Sequence, residues 1–270
     1  MSCASLCPLP PMKWEASAFR REEQSLGILM NDLHLVTVPT SDPWGYDTYW
    51  TTGLCQKGKV RVAAPRLSDP RTAAELIAAQ YLLVERNVCG HNKAGAGLRL
   101  HVSCTPIPLL AMGEAEKGFL SPYANFLRTR FLGAQIRVHT GPSLWAEEQC
   151  GEGDTIPESE YPRLTLIDIN GIGSVELTAH AVQQYVSRFD RKPEKAWREL
   201  SRIGGDAQPA VRAHRSALSD IKHRRQARYA MDAKRNVMLV IAEPDRPGCP
   251  PRLVTVVRPD ANVRLVPMPP

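Results

Sequence analysis

The stretch from Ser174 to Ile203, SVELTAHAVQQYVSRFDRKPEKAWRELSRI, constrains this chain more than any other. A short apolar alternation (Val175, Leu177) predicts a strand. Thr178 follows it and can cap a helix, its hydroxyl accepting from the first free backbone N–H groups. Val182, Tyr185, Val186 and Phe189 then recur at the i, i+3, i+4, i+7 spacing of a buried helix face. His180, Gln184 and Arg188 share another face at four-residue intervals. Pro193 suits a first helical position and opens a second helix through Trp197 and Leu200. A histidine in the first turn with an arginine two turns on is a usable catalytic pair; the same spacing also describes an ordinary polar face.

Charge is unevenly placed along the 270 residues. From His180 to Arg235 there are 14 Lys or Arg against 6 Asp or Glu, an excess of 8, so with a total of +6 the remainder nets −2. A polyanion is the partner such a concentration favours, and a solubilising basic surface is the alternative. RNA is the expected partner, with DNA or a hybrid as alternatives and a protein complex as a further setting. No apolar run reaches the roughly 18 residues that span a bilayer, which argues against a membrane partner. The N-terminus lacks the basic-then-apolar layout of a secretory signal. The seven cysteines, at 3, 7, 55, 89, 104, 150 and 249, include no CxxC pair, which supports neither a zinc site nor a disulfide framework. Reduced thiols in a cytoplasm are the simplest expectation.

The length allows two domains, and the expected class is α+β. Residues 1–27, with Pro8, Pro10 and Pro11, read as a loosely ordered lead-in. Leu33–Val38, Tyr46–Leu54 and Lys59–Ala64 read as strands separated by Pro39, Asp42, Pro43, Gly45 and Gly58, an antiparallel meander. Trp44, Tyr46, Tyr49 and Trp50 could stack on bases, but a meander this short needs aromatics for its core. Asp69-Pro70 opens the helix TAAELIAAQYLLVER. A strand at Leu98–Cys104, a helix in LSPYANFLRTRFLG and a strand at Ala134–His139 follow. AGAG at 94–97 lacks a following GK[ST] and is no phosphate loop. The acidic, glycine- and proline-bearing segment 141–162 reads as a linker between a domain at 28–140 and one at 163–270.

The order three strands, helix, strand, helix, strand, with TAAELIAAQYLL as first helix, resembles the RNase H-like fold. Active members of that family hold two divalent ions with an aspartate on the first strand, a glutamate in the first helix and an aspartate ending the fourth strand; oxygen ligands from several carboxylates are needed to hold such a pair. Glu75 matches the helical glutamate. The fourth-strand position reads Ser103-Cys104, and Leu33–Val38 contains no carboxylate, although Asp32, Asp42 and Asp47 lie around it. The resemblance therefore implies a nuclease fold that has lost its metal site, with no metal and no cofactor.

In the C-terminal half, strands are expected at Leu164–Ile169, Val175–Leu177, Ala227–Met231, Val237–Ala242 and Leu253–Val257, with the two helices before a closing antiparallel sheet. Gly204–Asp220 is expected to lead into a loop. This layout resembles the metal-independent ribonuclease superfamily of barnase, RelE-type toxins and colicin nucleases, and more closely phage- and plasmid-borne domains opening on T-x-H-A-x-x-x-y-x-x-R-F, here Thr178, His180, Ala181, Tyr185, Arg188 and Phe189. It implies a mobile-element endoribonuclease. RNA cleavage without metal needs a base for the 2′-hydroxyl, an acid for the leaving oxygen and cations for the phosphate. His180 would be acid or base, Arg188, Lys222 and Arg228 the phosphate clamp, and Thr255 a hydrogen-bond donor. Arg191, Lys192, Arg198, Arg224 and Arg225 would bind the nucleic acid. His214 and His223 are the candidates for a second acid–base group. The bland alternatives are a capping-turn histidine, solvated arginines and a strand threonine. Two other functions stand beside this one: a non-catalytic nucleic-acid-binding or adaptor subunit, and a metal-dependent RNase H-type nuclease using Asp32, Asp42 or Asp47 with Glu75.

Overall fold

A computed structural model describes residues 30–52, 56–90, 94–114, 118–139, 146, 153–157, 161–212, 227–244, 246–259 and 263–265. It is mixed α+β, with two mixed sheets and five α-helices among the described residues. All elements below lie in one compact unit beginning at Asn31.

The first sheet grows around β1 (Asn31–Pro39), which alternates Leu33, Leu35 and Thr37 on a buried face with Asp32, His34 and Val36 on the other. β1 pairs antiparallel with β2 (Gly45–Thr52), and β2 antiparallel with β3 (Lys57–Ala63). On its other edge β1 runs parallel to β4 (Leu98–Val102), and β4 parallel to β5 (Gln135–Val138). β6 (Asp154–Ile156) adds parallel to β3, giving the order β5-β4-β1-β2-β3-β6. β6 corrects the linker expectation for 141–162: Ile156 and Tyr161 enter the first core, and the Tyr161 hydroxyl donates to Glu85.

Helix α1 (Pro70–Val84) starts where Asp69 accepts from the Thr72 N–H at 3.2 Å with Pro70 in the first turn. Its alanines at 73, 74, 78 and 79 are all buried, which lets the helix lie close to the sheet. Leu76, Leu82 and Leu83 are buried too, each contributing about 1.5–3 kcal/mol by leaving water. Helices α2 (Ile107–Met112) and α3 (Ser121–Arg128) pack against the same core. The stretch PIPLLAMG forms α2 and ends it at Gly113, whose φ of 81° suits glycine.

The second core lies between a seven-stranded sheet and two helices. β7 (Leu166–Ile169) and β8 (Gly173–Leu177) form a hairpin, and α4 (Ala179–Phe189) follows the Thr178 cap. A 3₁₀ turn at Pro193–Lys195 leads to α5 (Ala196–Asp206), and then come β9 (Gln208–Arg212), β10 (Ala227–Asp232), β11 (Val237–Ala242), β12 (Arg252–Val257) and β13 (Val263–Leu265). The order is β13-β9-β10-β11-β12-β8-β7. The sheet is mixed rather than antiparallel throughout, because β12 pairs parallel with β8. Gly204–Asp220, expected to lead into a loop, begins as the end of α5 and then β9, and Gly204 brings the helix onto β7: a Cβ there would stand 2.6 Å from the Asp168 carbonyl oxygen. Gly204→Ala is expected to cost about 1–3 kcal/mol by forcing these elements apart, read as a lower urea midpoint.

The two cores touch. Leu132 packs against the second core, and the Arg130 guanidinium lies 4.9 Å from the Trp197 ring centre. Thr129 and Thr165 share a buried hydroxyl bond of 2.9 Å, and Gln80 Nε2 donates to the Arg163 carbonyl at 2.8 Å. No described helix is long and apolar enough to cross a membrane.

Candidate functional site

The cap places His180 in the exposed first turn of α4: the Thr178 hydroxyl accepts from Ala181 N–H at 3.2 Å and donates to the Leu253 carbonyl at 2.7 Å. Arg188 lies eight residues on, a rise of about 12 Å along the axis. Its Nη1 donates to the Val256 carbonyl at 2.9 Å and approaches Thr255 Oγ1 at 3.4 Å. Arg188 and Thr255 are therefore brought together, and His180 sits near the other end of the helix. β8 pairs with β12 only at Arg252 and Leu253, and Arg188 reaches the strand beyond that point.

Arg228 stands on β10 and forms an ion pair of 2.5 Å with Glu243, so its charge is already answered. Arg191 lies 3.7 Å from Glu199, which also accepts from the Tyr185 hydroxyl at 2.7 Å. Lys192 and Arg198 are exposed and pair with no carboxylate among the described residues. Lys222, Arg224, Arg225, His214 and His223 lie outside the described residues. Sequence reasoning missed Arg258, whose guanidinium lies 5.6 Å from the Phe189 ring centre and donates to the Arg188 carbonyl at 3.5 Å. Its signal is a contact between residues 70 apart, which no local pattern carries.

Glu75 is wholly buried, and its carboxylate is filled by protein donors. It accepts from Ser103 N–H at 2.5 Å, from the Ser103 hydroxyl, and from Cys104 N–H and Sγ at 3.3 Å each. Burial, then the charge of Glu75, pushes the Cys104 thiol up to about 12. β1 begins two residues before Leu33, so Asp32 is on the first strand after all. Parity turns it away: Asp32 shares the His34 face, whereas Leu33, Leu35 and Thr37 belong to the face that α1 covers. Asp47 faces Val38 across β2 on that same opposite side and is held by Arg61 through bonds of 2.8 and 2.9 Å. Asp42 lies in the exposed turn before β2 and accepts from Trp44 N–H at 3.1 Å.

On the face that the described helices leave uncovered, Asp32, His34 and His101 form a cluster. Asp32↔Arg99 and His34↔His101 are register partners across the parallel β1–β4 pair. His101 Nε2 lies 3.1 Å from Asp32 Oδ1, and the His34 and His101 rings stack with centres 4.0 Å apart. Arg99 Nη1 is 3.3 Å from the same Oδ1, and its Nε lies 3.4 Å from Gln135 Oε1. One coordinating atom from each of Asp32, His34 and His101 lies within 4.8 Å of the other two. The hydrogen bond to His101 and the charge of Arg99 hold Asp32 below the usual carboxylate range. Burial, then the neighbouring His101, pushes His34 down to about 4.

A histidine that titrates lower in the fold than when unfolded binds fewer protons in the native state. Its contribution is intact above the unfolded value of about 6.5 and is lost as pH falls toward 4. Acid unfolding in EDTA is expected to cost on the order of 2 kcal/mol across that window through His34. His34→Asn should flatten the slope; an unchanged slope would refute the assignment.

Comparison with protein-family models, with curated proteins and with solved structures found no match to this chain.

Proposed function

We propose that this chain binds nucleic acid, with RNA as the preferred strand, through the cationic end of α4 and its turn into α5. The observation that carries this reading is the contact between Arg258 and the end of α4 at Arg188, with the exposed Lys192 in the turn that follows. Arg188 spends its hydrogen bonds on neutral oxygens, which leaves its charge for a polyanion. Arg258 is set against Phe189 and the Arg188 carbonyl. Cations do favour a helix C-terminus by about 0.3–1 kcal/mol, but that effect fades within one turn and leaves Arg198 unexplained. The choice of RNA, and an origin in a mobile element, rest on the resemblance of the second half to the metal-independent ribonucleases.

Binding is preferred to cleavage because Arg188 and Thr255 stand together without His180 beside them. A metal-dependent RNase H-type reaction is less favoured still, since Asp32 and Asp47 face away from Glu75. Ribonuclease activity centred on His180 stays the second reading, supported by the resemblance of the second half to the metal-independent ribonucleases.

The test is fluorescence anisotropy of labelled single-stranded RNA across a salt series in EDTA. Wild-type affinity should fall steeply with salt. The triple variant Lys192→Ala, Arg198→Ala, Arg258→Ala should flatten the log–log slope by about 2, since each lost phosphate contact removes about 0.7 on a single strand. Salt-insensitive binding, or none, overturns the proposal. The same samples on a denaturing gel test the second reading: cleavage that survives EDTA and vanishes in His180→Ala would establish a ribonuclease.

A further inference from the structure

We infer that Asp32, His34 and His101 form a binding site for one divalent transition ion of borderline softness, with zinc as the type. The site lies on the uncovered face of the first sheet and shares no residue with the cationic surface at the end of α4.

Two imidazoles and one carboxylate are a ligand set that suits zinc and its first-row neighbours; magnesium and calcium take oxygen ligands throughout. The backbone fixes the set well. β1 and β4 are adjacent parallel strands, and Asp32, His34 and His101 all point to one side of the sheet at neighbouring register positions. Asp32 Oδ1 and His101 Nε2, 3.1 Å apart, already stand near the separation of two ligands on a tetrahedral ion with bonds of about 2.0–2.1 Å. His34 completes the group within 4.8 Å. Its ring lies within 9° of parallel to that of His101, so the in-plane lone pairs run side by side. A rotation of the His34 ring about χ2, a broad torsion, turns them onto a common point. Arg99, held at Gln135, anchors the carboxylate from the side, as an outer partner orients a ligand. Three protein ligands leave a fourth position for water.

The test uses the full chain, stripped with chelator and free of nucleic acid, titrated with zinc by calorimetry and with cobalt by absorption. One ion per chain is expected, with visible cobalt bands and no thiolate charge-transfer band. Asp32→Asn and His101→Gln should each weaken zinc by more than about 100-fold, beyond the 10–100-fold of an outer-sphere change. His139→Gln and His180→Gln should leave it unchanged. In the wild-type chain bound cobalt should give the large contact shifts of a directly bonded ring at two histidines only, a readout that holds whether or not a variant folds. No binding up to millimolar zinc, a thiolate band, retained affinity in both ligand variants, or such contact shifts at any other number of histidines would each overturn the site. RNA binding is measured in EDTA, so the two proposals fail separately.

Discussion

Glu75→Ala is expected to lower the stability of this protein by about 2–5 kcal/mol, the cost of leaving two buried backbone N–H groups without an acceptor at about 1–3 kcal/mol each. The carboxylate accepts from two backbone N–H groups, a hydroxyl and a thiol, all at the junction of β4 and α2. Removing it leaves the Ser103 and Cys104 N–H groups in a dry site without an acceptor. It also loosens a knot that ties α1 to β4 and, through Ser103 Oγ, to the Thr37 N–H of β1 at 3.2 Å. Arg71 reinforces the same place by donating to the Thr37 carbonyl at 2.9 Å. Glu75→Gln should be intermediate, because an amide keeps one acceptor but turns an NH₂ toward donors. Urea denaturation of the three proteins checks this. A Glu75→Ala cost under 1 kcal/mol would mean that the carboxylate is a dispensable remnant. Added magnesium should leave the wild-type midpoint unmoved, because no second carboxylate among the described residues shares the site.

Leu239→Ala is expected to cost about 2–5 kcal/mol, from lost transfer energy and the cavity left behind. Leu239 is fully buried at the centre of β11, between Ala230 of β10 and Val256 of β12. Every residue of β11 is buried, so little around the site can collapse into the void. The pair of variants also asks how the two cores are coupled. Leu132, the Arg130–Trp197 contact and the Thr129–Thr165 bond cross between them. The expected outcome is one cooperative transition, with both variants shifting the same midpoint. Two transitions, each moved by only one variant, would show cores that unfold independently.

Several elements were legible because their signals are local. The Thr178 cap and the Val182–Tyr185 face describe α4 as it stands, and Asp69-Pro70 starts α1 where expected. What went astray involved either partners far away in the chain or boundaries. β6 is three residues long in an acidic, aperiodic segment, and it is a strand because β3 offers an open edge. β9 lies in a stretch of low hydrophobicity, and Gly204 just before it is where α5 needs to approach β7.

The candidate sites divide in the same way. The amino-acid sequence by itself determined the α+β class, the start of α1, the buried face of α4 and the concentration of positive charge after His180. Only the tertiary structure decided what those residues meet. It brought Arg188 to Thr255 and Arg258, gave Arg228 to Glu243, and filled Glu75 with donors from Ser103 and Cys104. It also set Asp32 beside His34 and His101, on the opposite side of the sheet from Glu75. The physical reason is that periodicity reports which side of an element is apolar, through interactions a few residues long. Which polar groups share a site depends on where a strand begins and on its register with a partner some 70 residues away, and a shift of one residue would carry Asp32 to the other face.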